Sequence, residues 1–113
     1  MENVIETKCF DFAVKIVRTT RELRKQGVEL ALLNQLLKSG TSIGANVSEA
    51  QDAQSRDDFI SKMSIALKEA RETKYWLRIL KEVESFSNES IAELLEEIIR
   101  MLVKIVKTSK TTK

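Results

Sequence analysis

The chain has 113 residues, a length that accommodates one domain with one hydrophobic core. Its 42% hydrophobic and 32% charged residues are those of an ordinary soluble protein, and a formal net charge of +2 is too small to indicate a partner. With three glycines and no proline, the sequence lacks the residues that usually form tight turns between strands, so the composition predicts long helices.

The residue types needed by several classes of enzyme are missing. The absence of histidine excludes Ser-His-Asp and Cys-His catalysis, zinc–histidine sites and the Glu-x-x-His motifs of di-iron bundles. Cys9 falls on an apolar stripe, which favours a small buried side chain over a nucleophile. Glu69 and Glu72 are one turn apart, as is typical of a solvated helix face, and Gly40 and Gly44 lack the Lys-Ser/Thr of a phosphate loop. We therefore expect a protein that is not an enzyme and has no metal or other cofactor.

The sequence carries no signal for secretion or for insertion into a membrane. A single cysteine cannot form an internal disulfide, which fits a reducing compartment. The N-terminal residues lack the apolar run of a signal peptide, and no segment approaches the length that crosses a bilayer. These features predict a cytoplasmic protein with no membrane partner.

Apolar residues recur at three- and four-residue spacing in four segments, which predicts four helices. Thr7 is the candidate N-cap of the first, and Gly27 ends it. Ser55 opens a capping-box-like sequence at the third, and Ser87 or Asn88 can cap the fourth. The predicted helices span about residues 7–26, 28–53, 56–81 and 88–108.

Connections this short make consecutive helices antiparallel neighbours. The sequence therefore predicts an all-α fold, a single up-down-up-down four-helix bundle over residues 1–113, with a tail that frays from residue 108. The predicted core stripes are Cys9, Phe12, Ala13, Ile16, Thr20 and Leu23; Leu33, Leu36, Leu37, Gly40, Ile43, Gly44, Val47 and Ala50; Phe59, Met63, Ala66, Leu67, Ala70, Leu77 and Leu80; and Ile91, Leu94, Leu95, Ile98, Leu102 and Ile105.

The second predicted helix contains an unusual run of small residues, KSGTSIGANVSEA. Each glycine inside a helix costs about 1 kcal/mol relative to alanine. We expect compensation from close helix packing at Gly40 and Gly44, with a bulky side chain such as Phe12, Phe59 or Trp76 in the groove that they leave. The alternative is a ligand-binding or hinge role for this run.

This run resembles the signature of a family of bacterial four-helix bundle proteins, which includes proteins encoded by intervening sequences in 23S ribosomal RNA genes. The resemblance continues in FISKMSIALKEA at 59–70, ETKYWL at 72–77 and FDFA at 10–13, and so extends over nearly the whole chain. Lys38 stands where arginine is usual, and Val47-Ser48 where Ile-Ala is usual. The resemblance implies a four-helix fold and, for some members, a pentameric ring.

A related branch of this family is the accessory variability determinant of diversity-generating retroelements. It is similar in fold, and it associates with a reverse transcriptase and with nucleic acid through basic surface. The resemblance therefore implies a homo-oligomer, in particular a pentamer, with RNA, DNA or another protein as further partners. The matching motifs look structural, so they transfer no binding residue to this chain.

The third predicted helix has apolar residues outside its core stripe. On a helical wheel, Ile65, Trp76 and Ile79 point away from the core face. Further apolar residues flank the core stripes of the first helix (Phe10, Val14 and Val17) and of the fourth (Ile99 and Val103). An outward cluster of this kind predicts an interface, and self-association is its simplest form. The alternative is that the third helix is the most buried of the four.

Two groups of basic residues are candidates for contacts with the phosphates of RNA or DNA. The alternative is a solvated surface, because helix dipoles favour cations near helix C-termini. The two groups lie at opposite ends of an antiparallel bundle, and no aromatic residue is interleaved with them to stack on bases. The candidate binding residues are Lys15, Arg18, Arg21, Arg24 and Lys25 in the first helix and Arg100, Lys104, Lys107 and Lys110 in the fourth.

Together these features predict a non-enzymatic, oligomeric bundle that serves as a sequence-nonspecific RNA- or DNA-binding accessory protein. The alternative is a structural or adaptor homo-oligomer whose partner is another protein, such as a reverse transcriptase, with charges that serve solubility. RNA binding that weakens steeply with salt would distinguish the first from the second.

Overall fold

The computed structural model describes residues 3–111, which form four α-helices with short connections. The helices are α1 (Val4–Lys25), α2 (Leu30–Gln51), α3 (Arg56–Glu84) and α4 (Glu89–Thr111). Each helix packs against two neighbours in the cyclic order α1–α2–α3–α4, and diagonal helices do not meet within the described range. The bundle measures 50 × 24 × 21 Å. This architecture confirms the predicted all-α four-helix bundle.

The first helix begins earlier than predicted. Asn3, rather than Thr7, is the N-cap, because the Asn3 side chain accepts a hydrogen bond of 3.2 Å from the backbone N–H of Glu6. The additional turn buries Ile5 in the core. The predicted end of the helix near Gly27 is confirmed, since α1 ends two residues before it. The φ of Gly27 is +86°, a conformation that glycine adopts without strain.

The second helix is two residues shorter than predicted at each end. Val28 is buried but belongs to the connection, where its backbone N–H bonds back to the last turn of α1. The helix then runs only from Leu30 to Gln51. At the start of α3, the predicted cap is confirmed, since the Ser55 hydroxyl accepts a hydrogen bond of 3.0 Å from the N–H of Asp58.

The third helix extends three residues beyond the predicted end, to Glu84. Its C-terminus is formed by Ser85, which adopts a left-handed conformation with a φ of 53°. The N–H groups of Ser85 and Phe86 both reach back to the carbonyl oxygen of Leu80, the latter at 3.3 Å, and so satisfy an acceptor of the last turn. The extension therefore depends on the conformation of one non-glycine residue, which periodicity does not reveal.

The fourth helix begins where the sequence predicts and continues further. Asn88 is the residue that caps it, with its side-chain oxygen 3.0 Å from the N–H of Ile91. The helix runs to Thr111, so the expected fraying at residues 108–111 is wrong, and residues 112 and 113 lie outside the described range. Basic residues near a helix C-terminus favour this extension through the helix dipole.

Most predicted core positions are buried in one hydrophobic cluster. Two polar side chains, Ser39 and Thr73, also lie in this core, where an apolar stripe could not reveal them. On α4, Val106 is buried instead of Ile105, because the buried face continues four residues beyond Leu102 rather than three. The predicted core residues that are only half-buried are Ala13, Leu37, Gly44, Phe59, Leu67, Leu77, Leu94 and Ile105.

The backbones of α1 and α2 approach closely along the two glycines of α2. A Cβ on Gly40 would lie 2.9 Å from Cγ2 of Ile16, and a Cβ on Gly44 would lie 3.3 Å from Cβ of Cys9. Ile16 and Cys9 are therefore the nearest neighbours of this face. They replace the side chains that the sequence suggested for the groove, which are Phe12, Phe59 and Trp76.

Candidate nucleic-acid interface

All nine predicted phosphate-binding cations are exposed. Between residues 3 and 111 there are three ion pairs, each joining neighbouring helices, and none of them involves any of the nine. Their charges are thus not neutralised by a paired carboxylate and can attract an external anion. The three pairs are Lys8–Glu97, Lys62–Glu49 and Lys74–Glu96.

The structure does not bring the two basic groups together within one chain. The ion pair between Lys8 and Glu97 shows which levels of α1 and α4 lie side by side. At 1.5 Å per residue, Arg21 lies about 20 Å from Lys8 along α1, and Lys107 lies about 15 Å from Glu97 in the opposite direction. The two groups are therefore roughly 35 Å apart, and each must act as a separate surface.

Two members of the basic group of α1, Arg21 and Arg24, line a groove on the outer surface between α1 and α2. The groove has two consecutive sections, with cavity volumes of about 260 and 230 Å³, whose lining residues continue from one to the other at intervals of one helical turn. One section contains an aromatic ring, and the other contains two arginines. This α1–α2 groove is bounded by Phe10, Arg21 and Arg24 on α1 and by Leu37, Thr41 and Ala45 on α2.

Phe10 is the residue of this surface that the sequence-based prediction of binding residues missed. Its side chain is 67% exposed, an unusual state for phenylalanine. Although Phe10 is not interleaved with the basic residues along the chain, the helix turns it to the same groove as Arg21 and Arg24. The signal was available in the spacing, because positions 10, 17, 21 and 24 repeat at intervals of three, four and seven on one helix face.

A larger cavity, of about 410 Å³, lies between the second half of α3 and the start of α4. Lys74, Arg78 and Lys81 line one wall, while Glu89 and Glu96 line the other. Lys74 already forms an ion pair of 2.7 Å with Glu96. Because the two walls carry opposite charges, this cavity is a poorer site for a polyanion than the α1–α2 groove.

The predicted interface residues are spread over three helices. The side chains of Ile65 and Val103 are 39% and 37% exposed, and those of Val14 and Ile79 are half-buried. Helices α1 and α3 are diagonal in the bundle, so Val14 and Ile65 lie on different sides of it. The structure thus divides these residues between separate surfaces.

Trp76 points outward less than the sequence predicts. Its side chain is half-buried and packs against the core, and its ring lies edge-on to that of Tyr75 with 5.3 Å between the centroids. The indole N–H is shielded from solvent and has no acceptor within the described part of the chain. A large ring at the border of a helix face can fold back towards the core, which a helical wheel does not show.

Cys9 has the properties of a structural residue. It is fully buried, and burial, followed by the nearby charge of Glu6, raises the pKa of its thiol to about 12. The thiol is therefore protonated and unreactive at neutral pH. Among residues 3–111, no three acidic or cysteine side chains are grouped so that they could hold a metal ion.

The fold and its surface define a small four-helix bundle with exposed basic residues at both ends. In the described range, no helix has both the length and the apolar character needed to span a bilayer. Over residues 1–107 the sequence matches the family model of the 23S rRNA-intervening sequence protein, and the chain belongs to that family.

A solved structure supports this assignment. The protein of unknown function from the S23 ribosomal protein family of Bacteroides thetaiotaomicron, whose crystal structure has a resolution of 1.70 Å, is 46% identical in sequence. The match covers 91% of this chain and 98% of that chain, with a TM-score of 0.87. No protein of curated function matches the chain significantly.

Proposed function

We propose that this protein is a non-enzymatic, self-associating bundle that binds RNA or DNA through phosphate contacts, without sequence preference. The observation that carries the proposal is the set of nine exposed cations that have no ion-pair partner among the described residues. Such cations release counterions from nucleic acid when they bind phosphates, which is the main source of nonspecific affinity. The cytoplasm is the compartment that we propose for this activity.

The helix dipole explains only part of the distribution of these cations. Arg24 and Lys25 lie in the last turn of α1, and Lys110 lies in the last turn of α4. The other six are further from the helix ends, where the stabilising effect of the dipole is lost. A phosphate-binding role would account for the other six as well.

Self-association would strengthen the binding. Because Val14 and Ile65 lie on different sides of the bundle, a contact that uses both surfaces joins unlike faces of adjacent subunits, and such contacts generate closed rings when the rotation between subunits closes. In a ring, the few cations of each subunit are repeated, and the positive potential rises. The family resemblance implies five subunits.

The proposal is tested by measuring the affinity of the protein for a short fluorescent RNA over a series of salt concentrations. We expect the logarithm of the binding constant to fall linearly with that of the salt concentration, with a slope of about −0.7 per contacted phosphate of a single strand. An RNA of unrelated sequence and equal length is the control and should bind equally well. No binding, or affinity independent of salt, would contradict the proposal.

Exposed apolar side chains favour a second candidate function, that of a structural or adaptor oligomer. The described residues include several large hydrophobic side chains that are more than half exposed, and such side chains are common in contacts between proteins. The partner would then be another protein, such as a reverse transcriptase. A stable oligomer that does not bind RNA at low salt would support this alternative. The residues concerned are Val4, Phe10, Tyr75 and Val83.

A further inference from the structure

We infer that the α1–α2 groove binds single-stranded nucleic acid, with a base stacked on Phe10 and phosphates paired with Arg21 and Arg24. This inference rests on the proposed function and adds to it the form of the nucleic acid and the surface that binds it. It depends on the exposed ring, the two arginines that have no ion-pair partner among the described residues, and the continuity of the groove between them.

The first section of the groove suits a flat aromatic group. Phe10 stands at its edge, and the opposite wall on α2 consists of small side chains, including Thr41, Ala45 and Ser48. At Gly44, α2 packs closely against Cys9, so the α2 wall of this section stays low; on α1, Glu6 lines the same section one turn before Phe10. Any of the four bases has a π-face that can stack on this ring, which allows binding without sequence preference.

The second section of the groove suits phosphates. Arg21 and Arg24 line it, and none of its described lining residues is acidic; the carboxylate of Glu6 lines the first section, one turn before Phe10. Arginine binds phosphate with two parallel N–H donors, a stronger and more directional contact than that of lysine. From Phe10 to Arg24 the groove is about 21 Å long, enough for about six nucleotides stacked at 3.4 Å each.

The position of Phe10 distinguishes single strands from duplexes. In a duplex the faces of the bases are covered by their neighbours, so a side chain at the rim of a shallow groove cannot stack on them without unstacking the helix. A duplex can therefore contact only the arginines. In a single strand the bases are free, and both sections of the groove can be used.

A second copy of the chain would fit this groove less well. Its helix would have to supply carboxylates to Arg21 and Arg24, whereas a polyanion brings a charge with every nucleotide. The α3–α4 cavity is a poorer alternative for a nucleic acid, because Glu89 and Glu96 on its wall would repel a phosphate. Charge complementarity therefore favours a nucleic-acid strand as the occupant of the α1–α2 groove.

The experiment compares Phe10→Ala, Phe10→Leu and Phe10→Trp in the full chain, with a single-stranded RNA and a duplex RNA of the same length at one salt concentration. For the single strand, we expect Phe10→Ala and Phe10→Leu to weaken binding about 5- to 100-fold, and Phe10→Trp to bind as tightly as the parent or more tightly. For the duplex, all three should remain within about twofold of the parent. Val83→Ala, at an exposed apolar position of α3, is the matched control and should change neither affinity.

Circular dichroism and light scattering on each variant separate the possible outcomes. If Phe10→Leu bound the single strand as tightly as the parent does, the stacking site would be wrong. The proposed function would still stand in that case, because the parent binds RNA. Failure of the parent to bind either RNA would overturn the proposed function itself. If Phe10→Ala remains helical but has a lower assembly mass than the parent, the groove is an interface between copies of the chain, and the inference is wrong.

Discussion

The hydroxyl of Thr73 on α3 donates a hydrogen bond of 2.9 Å to the hydroxyl of Ser39 on α2, and both side chains are buried in the core. The Thr73 oxygen also lies 2.8 Å from the carbonyl oxygen of Glu69, and the Ser39 oxygen lies 3.3 Å from that of Leu36. The two hydroxyl protons thus have three acceptors within reach, which are the partner hydroxyl oxygen and the two carbonyl oxygens. Both protons can therefore always be donated. This polar pair links α2 to α3 at one defined level of an otherwise apolar interface.

We expect Thr73→Val and Ser39→Ala each to lower the free energy of unfolding by about 1 kcal/mol, because each change removes a buried hydrogen bond. The double variant should lose less than the sum, since no unpaired partner is left behind. Urea unfolding at constant protein concentration measures these values. Thr41→Val is the control, because among the described residues the Thr41 hydroxyl bonds to carbonyls of its own helix alone, and its effect should add to that of Thr73→Val. Strict additivity for Ser39 and Thr73 would contradict the prediction.

The two glycines of α2 should respond differently to alanine. In Gly40→Ala the new Cβ would lie 2.9 Å from Cγ2 of the buried Ile16, which must shift, whereas in Gly44→Ala it would lie at 3.3 Å from Cys9. Since alanine gains about 1 kcal/mol in helix propensity, Gly44→Ala should be nearly neutral and Gly40→Ala destabilising. Gly44→Leu overpacks this contact and should lower stability by about 1–3 kcal/mol or more. Thermal unfolding compares the three, and parent-like melting of Gly44→Leu would show that the close packing is unimportant.

Two variants, each with the charge of three basic residues reversed in either α1 or α4, should bind RNA more weakly and with a flatter salt dependence. Loss of three phosphate contacts reduces the slope by about 2 for a single strand, and affinity should fall to a similar extent for RNAs of different sequence. Anisotropy titrations over a salt series provide both quantities. If both variants keep the affinity of the parent, the basic groups do not bind nucleic acid. The two triple variants reverse Arg21, Arg24 and Lys25, or Lys104, Lys107 and Lys110.

Self-association should depend on the outer side of α3. Burial of a large apolar side chain contributes about 1.5–3 kcal/mol, so replacing Ile65 and Ile79 with glutamate should yield a folded monomer or a much smaller assembly. Light scattering at micromolar concentration measures the mass. Ala31→Glu adds a charge at an exposed position of α2 and should leave the mass unchanged. A parent protein with the mass of one subunit would refute the proposed oligomer.

The thiol of Cys9 should make stability depend on pH above about pH 9. Burial and the charge of Glu6 raise its pKa from 9.0 to about 12 in the folded protein. Between these values the unfolded chain releases a proton that the folded chain keeps, so the contribution of the thiol is complete below pH 9 and is lost as the pH rises towards 12. Urea unfolding of the parent and of Cys9→Ala at several pH values isolates this effect. If their difference in unfolding free energy were the same at pH 8 and pH 11, the shift in pKa would be absent.

Local features of the sequence were sufficient to define the helices. Ser55 and Asn88 cap α3 and α4 as predicted, because a capping side chain needs only the first turn of its own helix. Most core positions also follow from a period of 3.6 residues, which depends on helix geometry alone. The predictions were wrong at the start of α1 and at the end of α3, where more than one residue could begin or end the helix. Burial of Ile5 goes with the earlier start of α1, and the left-handed conformation of Ser85 goes with the later end of α3.

The relations between helices had to come from the folded structure. Sliding one helix by a turn, about 5.4 Å, leaves each apolar stripe intact, so periodicity cannot say which residues meet. Only packing set Ile16 against Gly40 and gave the Ser39 and Thr73 hydroxyls their contact. The same packing left Phe10 exposed at the edge of a groove that continues to the arginines of α1. The candidate binding surface is therefore a product of how α1 lies on α2, where steric fit at two glycines sets both the distance and the level of the helices.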